Sequence, residues 1–178
     1  NTTFFTPLNK TECKQKLNLD INKRYILFVD SNTGKNRTQK RKDRFDETMQ
    51  ILRNEYNHTN IEELVMIGVS REDVPIWMNA CDLHILSSDQ EGSPNSVKEC
   101  ICCNVPVVAT NVGNVEDLLF MVEKCYVDYD FMPSNIACLA NKSLSNKNDS
   151  NIRQSIFQNR LDIFNVAQNI VNIYNSII

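Results

Sequence analysis

A proline-containing turn near the middle of the chain has the composition of an anion-binding site. Ser93 and Pro94 follow a short apolar run and precede a segment with helical spacing, so we expect Ser93 to cap a helix that begins at Pro94. The next backbone N–H groups lack partners within the helix and lie at the positive end of its dipole; they belong to Asn95, Ser96 and Val97. This arrangement predicts a site for phosphate or diphosphate.

Two carboxylates flank this predicted phosphate site at different depths. Glu91 lies in the loop before the helix, and Glu99 lies about a turn and a half into it. Carboxylates bind phosphate poorly, but they readily accept hydrogen bonds from the hydroxyl groups of sugars and riboses. The same spacing also fits an ordinary strand–turn–helix unit that carries two glutamates by chance, so spacing alone leaves both interpretations open.

A cluster of basic residues follows the first apolar run of the chain. Its members are Lys35, Arg37, Lys40, Arg41, Lys42 and Arg44. Basic side chains close to the end of a strand suit anionic phosphates, although a solvated loop has the same composition. Nucleic-acid binding is disfavoured, because the chain has a net charge of −3 and the cluster has no interleaved aromatic residues.

Short apolar runs alternate with helical patterns along the chain. The runs cover residues 25–29, 64–67, 83–86, 105–109 and, more weakly, 125–127. Nearly continuous apolar runs of this length are typical of strands that are buried on both faces of a parallel sheet. The helical patterns cover residues 45–56, 74–81, 94–103, 115–121 and the tail 152–177. We therefore predict an α/β fold with a doubly wound parallel sheet and helices on both faces.

Glycines mark the edge of this sheet at which a ligand is expected to bind. The chain has only four, and each lies one to six residues after one of the first four runs: Gly34, Gly68, Gly92 and Gly113. Turns that follow parallel strands share the carboxyl edge of the sheet, where doubly wound folds bind their ligands. The predicted phosphate site and the basic cluster therefore lie on one edge. The polar stretch 143–151 is predicted to be an exposed loop.

The composition is that of one soluble globular domain. The 178 residues are 42% hydrophobic and 23% charged, which excludes collagen-like, coiled-coil and wholly disordered chains. No apolar run approaches the ~20 residues of a membrane span, and the first residues lack a signal-peptide pattern. Seven cysteines without paired Cys-x-x-Cys motifs are expected to be reduced and buried, which favours the cytoplasm. We expect His84 to pack within its strand rather than to catalyse.

The stretch from residue 74 to residue 118 closely resembles the glycosyltransferases of family 4, also called group 1. The resemblance rests on the pair Glu91 and Glu99 within Ser-Ser-Asp-Gln-Glu-Gly-Ser-Pro-Asn-Ser-Val-Lys-Glu, and on the segment from Cys103 to Gly113. Members of this family have the GT-B fold, in which two Rossmann-like domains face each other across a cleft. The resemblance implies that residues 1–178 form a single Rossmann-like domain, the donor-binding C-terminal half, and that the N-terminal acceptor-binding domain is absent from this chain.

The resemblance also implies roles for the residues around the predicted phosphate site. Glu91 would face the donor sugar as the catalytic carboxylate, and Glu99 would bind the ribose hydroxyl groups. Backbone amides would hold the sugar and the diphosphate; they belong to Gly92, Ser93, Asn95, Ser96 and Val97.

Two further elements of the donor site are implied by the same resemblance. Members of the family place an Arg, and five residues later a Lys, against the donor phosphates. Arg37 and Lys42 have this spacing, and Lys40 or Arg41 are the alternatives. The nucleobase would lie against Val69 and Ser70, although an ordinary loop explains these two residues equally well.

The implied function is that of a retaining glycosyltransferase. The full-length protein would transfer a sugar from a nucleotide-diphosphate sugar to a glycan or lipid-linked acceptor, in bacterial surface polysaccharide biosynthesis. We expect no metal or other cofactor besides this substrate, no nucleic-acid partner, and a cytoplasmic location at the inner face of the membrane. Two alternatives stay open, a nucleotide-sugar epimerase of the same fold and a non-catalytic nucleotide-binding module.

Overall fold

The computed structural model describes residues 1–30, 38–147 and 151–177. Within these residues, five parallel strands form one sheet in the order β2-β1-β3-β4-β5. The strands are β1 (Arg24–Val29), β2 (Ile61–Met66), β3 (Leu83–Leu86), β4 (Val107–Thr110) and β5 (Tyr126–Asp128). The predicted parallel sheet is confirmed. Its strand order reverses between β1 and β3, and a ligand crevice is expected at such a reversal.

Two strands begin two or more residues away from the predicted start, and the other differences at strand ends are single residues. β2 begins at Ile61, three residues before the predicted run, and includes two glutamates that pair with basic side chains at the edge of the sheet. β4 begins two residues later than predicted, because Val105 closes the turn after the preceding helix by donating its N–H to Cys100 O at 2.9 Å. Both differences lie at element ends, where hydrogen bonding of single residues outweighs apolar composition.

Helices surround the sheet. In the described part of the chain they are α1 (Lys10–Lys16), α2 (Lys42–Asn54), α3 (Val74–Ala80), α4 (Asn95–Cys102), α5 (Val115–Leu119), α6 (Pro133–Ser145), α7 (Gln154–Gln158) and α8 (Ile163–Ile177). α1 and α6 were not predicted from the sequence. The predicted loop at 143–151 is wrong for its first three residues, which form the end of α6. This helix buries mainly small side chains, among them Ala137, Ala140 and Ser143, so its apolar stripe is weak in the sequence.

Side chains of β1 alternate between two apolar layers, one on each face of the sheet. Tyr25 and Leu27 belong to the layer that also contains the buried residues of α1, α3, α4 and α5. Ile26 and Phe28 belong to the opposite layer, with the buried residues of α2 and α6. Helices therefore cover both faces, as the doubly wound prediction requires.

The cysteines confirm the expectation of reduced, mostly buried thiols. All seven lie within the described residues and all are free, and only Cys138 on α6 is exposed. Burial raises the pKa of Cys103 and of Cys125 to about 12, so both stay neutral thiols in the core.

The last helix differs from the others because it is not packed. α8 spans 15 residues and is amphipathic, yet none of its residues is buried. Phe164, Tyr174 and Ile177 are each more than 60% exposed. Nowhere in the described ranges does a helix combine the length and apolar character needed to cross a membrane.

Candidate functional site

A cavity of about 470 Å³ lies at the carboxyl edge of the sheet, beside the start of α4. Val29, Met66 and Val74 give part of its lining an apolar character. The rest of the lining, which is mostly polar, comes from the segments that follow β1, β2 and β3. It consists of Gln39, Lys40, Arg71, Gln90, Glu91, Gly92, Ser93, Pro94, Asn95, Ser96 and Glu99. Six residues that the sequence analysis assigned to the donor site therefore meet in one cavity.

The start of α4 lies one residue later than predicted. Pro94 precedes the helix with extended backbone angles, and Asn95 is the first helical residue. The predicted cap is wrong, because the Oγ of Ser93 instead accepts a hydrogen bond from Lys98 Nζ at 3.1 Å. Pro94 has no side-chain group that could accept from the helix, so the amides of the first turn have no partner among the described residues. They remain available to an anion.

Ser96 and Val97 offer a ligand their backbone rather than their side chains. Val97 is fully buried in the core. Ser96 Oγ lies 3.1 Å from His84 Nε2, and His84 Nδ1 lies 3.0 Å from Leu27 O. Because a carbonyl oxygen only accepts, Nδ1 donates to it and Nε2 accepts from the serine hydroxyl. Burial lowers the pKa of His84 to about 4, so the ring is neutral and packs in the core, as predicted.

Glu91 is held at the cavity wall by two hydrogen bonds. Its Oε1 accepts from Lys40 Nζ at 2.6 Å and from Ser88 Oγ at 2.9 Å. The side chains of Lys40 and Glu91 are only 17% and 19% exposed, so this ion pair is partly shielded from water. The carboxylate expected to face the donor sugar therefore lies in the cavity, next to a cation.

Glu99 forms a second ion pair in the same cavity. Its Oε1 accepts from Arg71 Nη1 at 2.6 Å, with the two side chains 14% and 58% exposed. Arg71 was not among the residues predicted from the sequence. A signal was available, because Arg71 follows Gly68 in the turn after β2 and thus lies on the sheet edge that the glycines mark.

The outcome differs for the two basic residues, Arg37 and Lys42, that were expected at the phosphates. Arg37 lies outside the described residues. Lys42 is the first residue of α2; its Nζ contacts the Asp46 carboxylate and lies 3.3 Å from Glu63 Oε2. Lys42 does not line the cavity, whereas Lys40, the stated alternative, does. The structure thus favours Lys40 over Lys42 at this position.

The segment before α2 is clamped onto the loop that carries Glu91. A short 3-10 helix (Thr38–Lys40) is followed by Arg41, whose φ of 51° turns the chain before α2 begins. Arg41 and Arg44 both donate to the Asp89 carboxylate, Arg44 Nη2 at 2.7 Å. Burial opposes the charged form of Asp89, but the hydrogen bonds from the two arginines prevail and lower its pKa. The clamp fixes the 3-10 helix and with it the lysine that pairs with Glu91.

A glycine is required at position 113 because two loops meet there. Gly113 has a φ of 58°, and a Cβ on it would lie 2.0 Å from Gly92 O and 2.8 Å from Glu91 O. The N–H of the next residue, Asn114, donates to Gly92 O at 3.1 Å. The turn after β4 therefore packs directly against the loop that carries Glu91.

Val69 and Ser70 lie beside the cavity rather than in its lining. Val69 is partly buried against the core, and Ser70 Oγ donates to Asp73 Oδ2 at 2.8 Å. The next residue, Arg71, lines the cavity in their place. The nucleobase contact of Val69 and Ser70 stays a prediction.

The sequence of the chain matches one protein family. Residues 37–140, more than half of the chain, match the profile of the family described as "Glycosyl transferases group 1". Among proteins with curated functions, none matches this sequence.

Several solved structures share the fold at low sequence identity. The C-terminal domain of LpcC, a group 1 family glycosyl transferase from Francisella tularensis, has a TM-score of 0.68 at 16% identity, over 89% of this chain and 96% of that one. HepE from Anabaena, in complex with UDP, has a TM-score of 0.70 at 17% identity, over 99% of this chain and 55% of that one. Sucrose-phosphate synthase from Thermosynechococcus elongatus has a TM-score of 0.67 at 15% identity, over 99% and 50%.

The coverage of these structures indicates which part of them the chain resembles. The chain spans nearly all of the LpcC domain but only about half of HepE and of sucrose-phosphate synthase. At such identities the likeness establishes the fold alone. The expected Rossmann-like architecture is thereby confirmed.

Proposed function

The chain belongs to the group 1 glycosyltransferases, and from this premise we propose that it is the donor-binding domain of an enzyme that transfers a sugar from a nucleotide-diphosphate sugar. One observation carries the proposal: helix amides that have no partner among the described residues, a lysine and two carboxylates converge on a single cavity at the carboxyl edge of the sheet. HepE, which shares the fold, was solved with UDP and with UDP-glucose, and this supports the class of ligand.

Each part of the donor matches a different part of the cavity. The diphosphate accepts hydrogen bonds from the first-turn amides of α4 and from the ammonium group of Lys40, because these groups favour negative charge. Hydroxyl groups of the donor sugar donate to the Glu91 carboxylate, and the backbone of Gly92 and Ser93 lies beside them. The ribose hydroxyl groups donate to Glu99, because a carboxylate is a strong acceptor for them.

Donor binding replaces one contact that already exists in the cavity, the ion pair between Lys40 and Glu91 at 2.6 Å. The ion pair between Arg71 and Glu99, also at 2.6 Å, is kept. A diphosphate draws Lys40 toward its oxygens, and sugar hydroxyl groups then replace the ammonium as donors to Glu91. The exchange leaves neither charge buried without a partner, which would otherwise cost a large part of the binding energy.

The chemical contribution of this domain is mainly electrostatic. When the bond between the anomeric carbon and the diphosphate breaks, negative charge grows on the leaving oxygen and positive charge grows on the sugar. The α4 amides and Lys40 lie where the negative charge develops, and Glu91 lies where the positive charge develops. We assign Glu91 as the catalytic carboxylate of a transfer that retains the configuration of the sugar.

The complete enzyme also needs a domain that binds the acceptor. The acceptor we propose is a glycan or lipid-linked glycan of bacterial surface polysaccharide synthesis, at the cytoplasmic face of the membrane. This domain alone is expected to bind the donor and to transfer nothing, since transfer also requires the domain that positions the acceptor.

Calorimetric titration with UDP, GDP and ADP, and with their hexose derivatives, tests the proposal. Glu99→Gln should weaken the bare nucleoside diphosphate about tenfold, because a hydrogen bond to a charged acceptor is lost. Glu91→Gln should weaken the sugar-bearing donor by a similar factor and spare the bare diphosphate. Glu62→Gln, which removes a carboxylate paired with Lys23 at the sheet edge, is the control and should change neither.

Four outcomes would contradict this assignment. Binding of none of these ligands would end the proposal of a donor site, and a greater effect of Glu91→Gln on the bare diphosphate would reverse the two roles. Incubating the full-length protein with donor but no acceptor separates the alternatives, because an epimerase would still turn over. A full-length protein that binds the donor but never transfers or hydrolyses it would be a binding module.

A further inference from the structure

Arg71 is held between a carboxylate of the cavity and two aromatic rings. Its Nη1 donates to Glu99 Oε1 at 2.6 Å. Its Cζ lies 4.7 Å from the ring centroid of Phe5 and 5.7 Å from that of Phe4. The two rings meet edge to face, with 5.0 Å between centroids. A guanidinium that rests on aromatic rings is restrained before it forms a hydrogen bond, so Arg71 presents its donors to Glu99 in one orientation.

The aromatic pair is itself anchored to the helix that carries Glu99. Arg153 donates to Phe5 O at 2.6 Å and also to the carbonyl oxygen of Cys102, the last residue of α4. The N-terminal segment is therefore tied to α4 twice, at the end of the helix through Arg153 and near its middle through Arg71. The position of Glu99 thus depends on residues that lie far from it in the sequence.

The ion pair between Arg71 and Glu99 is poorly suited to a purely structural role. The Arg71 side chain is 58% exposed, and exposed ion pairs contribute little to folding stability because water competes for both charges. Both partners line the cavity, however, and Glu99 is only 14% exposed. The contact therefore acts on the shape of the cavity more than on the stability of the fold.

We propose that Arg71 is a positioning residue for ribose recognition. By binding Oε1, it fixes the plane of the Glu99 carboxylate, and the remaining acceptor positions then face the ribose hydroxyl groups in a single arrangement. The Arg71–Glu99 pair thereby sets the preference for ribonucleotides over deoxyribonucleotides, and Phe4 and Phe5 act through Arg71. This inference rests on the proposed function, since it requires that the cavity bind a nucleotide.

Paired titrations with ribo and deoxyribo ligands test the inference. The tightest binder among UDP, GDP and ADP is compared with its 2′-deoxy and 3′-deoxy forms. Arg71→Gln should weaken the ribonucleotide about tenfold and the deoxy forms by less than about twofold, so that the preference collapses. Arg71→Lys keeps the positive charge but lacks the planar guanidinium with its several donors, so it should retain more of the preference for ribonucleotides than Arg71→Gln does. Arg53→Gln removes an arginine paired with Glu63, outside the cavity lining, and should change nothing.

The aromatic support is tested in the same way. Phe5→Leu keeps an apolar side chain but removes the ring face, and it should lower the same preference in a protein whose thermal unfolding is still cooperative. If this buried substitution prevents folding, Phe4→Leu replaces it, because Phe4 is 37% exposed. An unchanged preference in the folded variant would contradict the support by the rings.

Equal losses for ribo and deoxyribo ligands in Arg71→Gln would overturn the positioning role while the proposed function stands. A wild-type protein that binds none of the three diphosphates would overturn both. The two failures are therefore distinguished by the wild-type titration alone.

Discussion

Gly113 and Gly92 belong to turns that follow different strands, yet a Cβ on Gly113 would lie 2.0 Å from Gly92 O. The obstructing atoms are backbone, so no side-chain rotation relieves the overlap. The turn after β4 therefore determines where the loop with Glu91 lies. This relationship predicts a functional effect from a residue that does not line the cavity.

Gly113→Ala should displace this loop and weaken donor binding by about tenfold or more, the loss expected when a charged acceptor leaves its position. It should also lower the free energy of unfolding by more than about 1 kcal/mol, because alanine is strained at positive φ. Calorimetric titration and urea unfolding measure the two effects.

Gly68→Ala is the matched control for this prediction. Gly68 has a φ of 63°, but a Cβ there would meet nothing within 4 Å. The control should lose about 1 kcal/mol of stability and retain donor binding. Equal binding losses in the two variants would show that backbone strain, not the loop contact, is responsible.

Lys40→Gln should weaken binding of a nucleoside diphosphate about tenfold and leave the nucleoside almost unaffected. Lys40 Nζ lies in the cavity beside Glu91, whereas Lys42 is engaged by Asp46 and Glu63 outside it. Lys42→Gln should therefore bind both ligands like the wild type. Titrations at low and high salt provide a second readout, since the Lys40 effect should shrink as screening increases.

A larger loss from Lys42→Gln than from Lys40→Gln would contradict the geometry. It would instead support the expectation from the sequence that Arg37 and Lys42 both bind the phosphates. Because Lys40→Gln also removes the partner of Glu91, unfolding is measured alongside, and the comparison uses only variants that remain folded.

His84 should make the fold sensitive to mild acid. Burial lowers its pKa to about 4 from the usual 6.5, so the unfolded chain takes up a proton at a higher pH than the folded protein does. The stabilisation is therefore complete above about pH 6.5 and is lost as the pH falls toward 4, by about 3 kcal/mol in total. Urea unfolding of the wild type at several pH values measures the slope.

His84→Gln removes the titrating ring and should flatten this slope between pH 6.5 and 4.5. The comparison with the wild type matters because Asp128, whose burial raises its pKa, acts in the opposite sense over part of the range. A slope that persists unchanged in His84→Gln would assign the acid sensitivity to other groups.

Substitutions on α8 should affect association and not folding. The double change Ile170→Lys with Ile173→Lys should leave the Tm unchanged, because no residue of this helix is buried. The wild-type chain should self-associate with increasing concentration through its apolar stripe, and the double variant should stay monomeric in sedimentation velocity. Asn169→Lys, on an exposed polar residue of the same helix, is the control. Association that Asn169→Lys abolishes equally would contradict a role for the stripe.

Apolar composition was sufficient to predict the sheet, and with it the carboxyl edge at which the cavity lies. Strands buried on both faces must be almost continuously apolar, so β1, β3 and the core of β2 were visible in the sequence. α6 was not, because a helix that packs against a sheet through Ala137 and Ala140 needs few large side chains. Sequence patterns reveal a buried helix face when it carries large apolar side chains. A face that packs through small residues does not produce a visible apolar pattern.

The candidate site shows a similar limit. The positions of Glu91 and Glu99 follow from their spacing around α4, which is local. The choice between Lys40 and Lys42 depends on the left-handed turn at Arg41, and a sequence does not reveal a single non-glycine residue at positive φ. Arg71 was missed because its partner is 28 residues away and contact across the cavity is a tertiary property.

Because the cysteines differ in exposure, their rates of labelling can measure how often the core of the native protein opens. Among the seven, all within the described ranges, only Cys138 is accessible to a maleimide, and the other six become accessible when the core separates. Intact-mass spectrometry should therefore find one label on a folded chain and seven on an unfolded one. The rate at which the second label arrives measures the opening of the core without any engineered probe, and a bound donor should slow it.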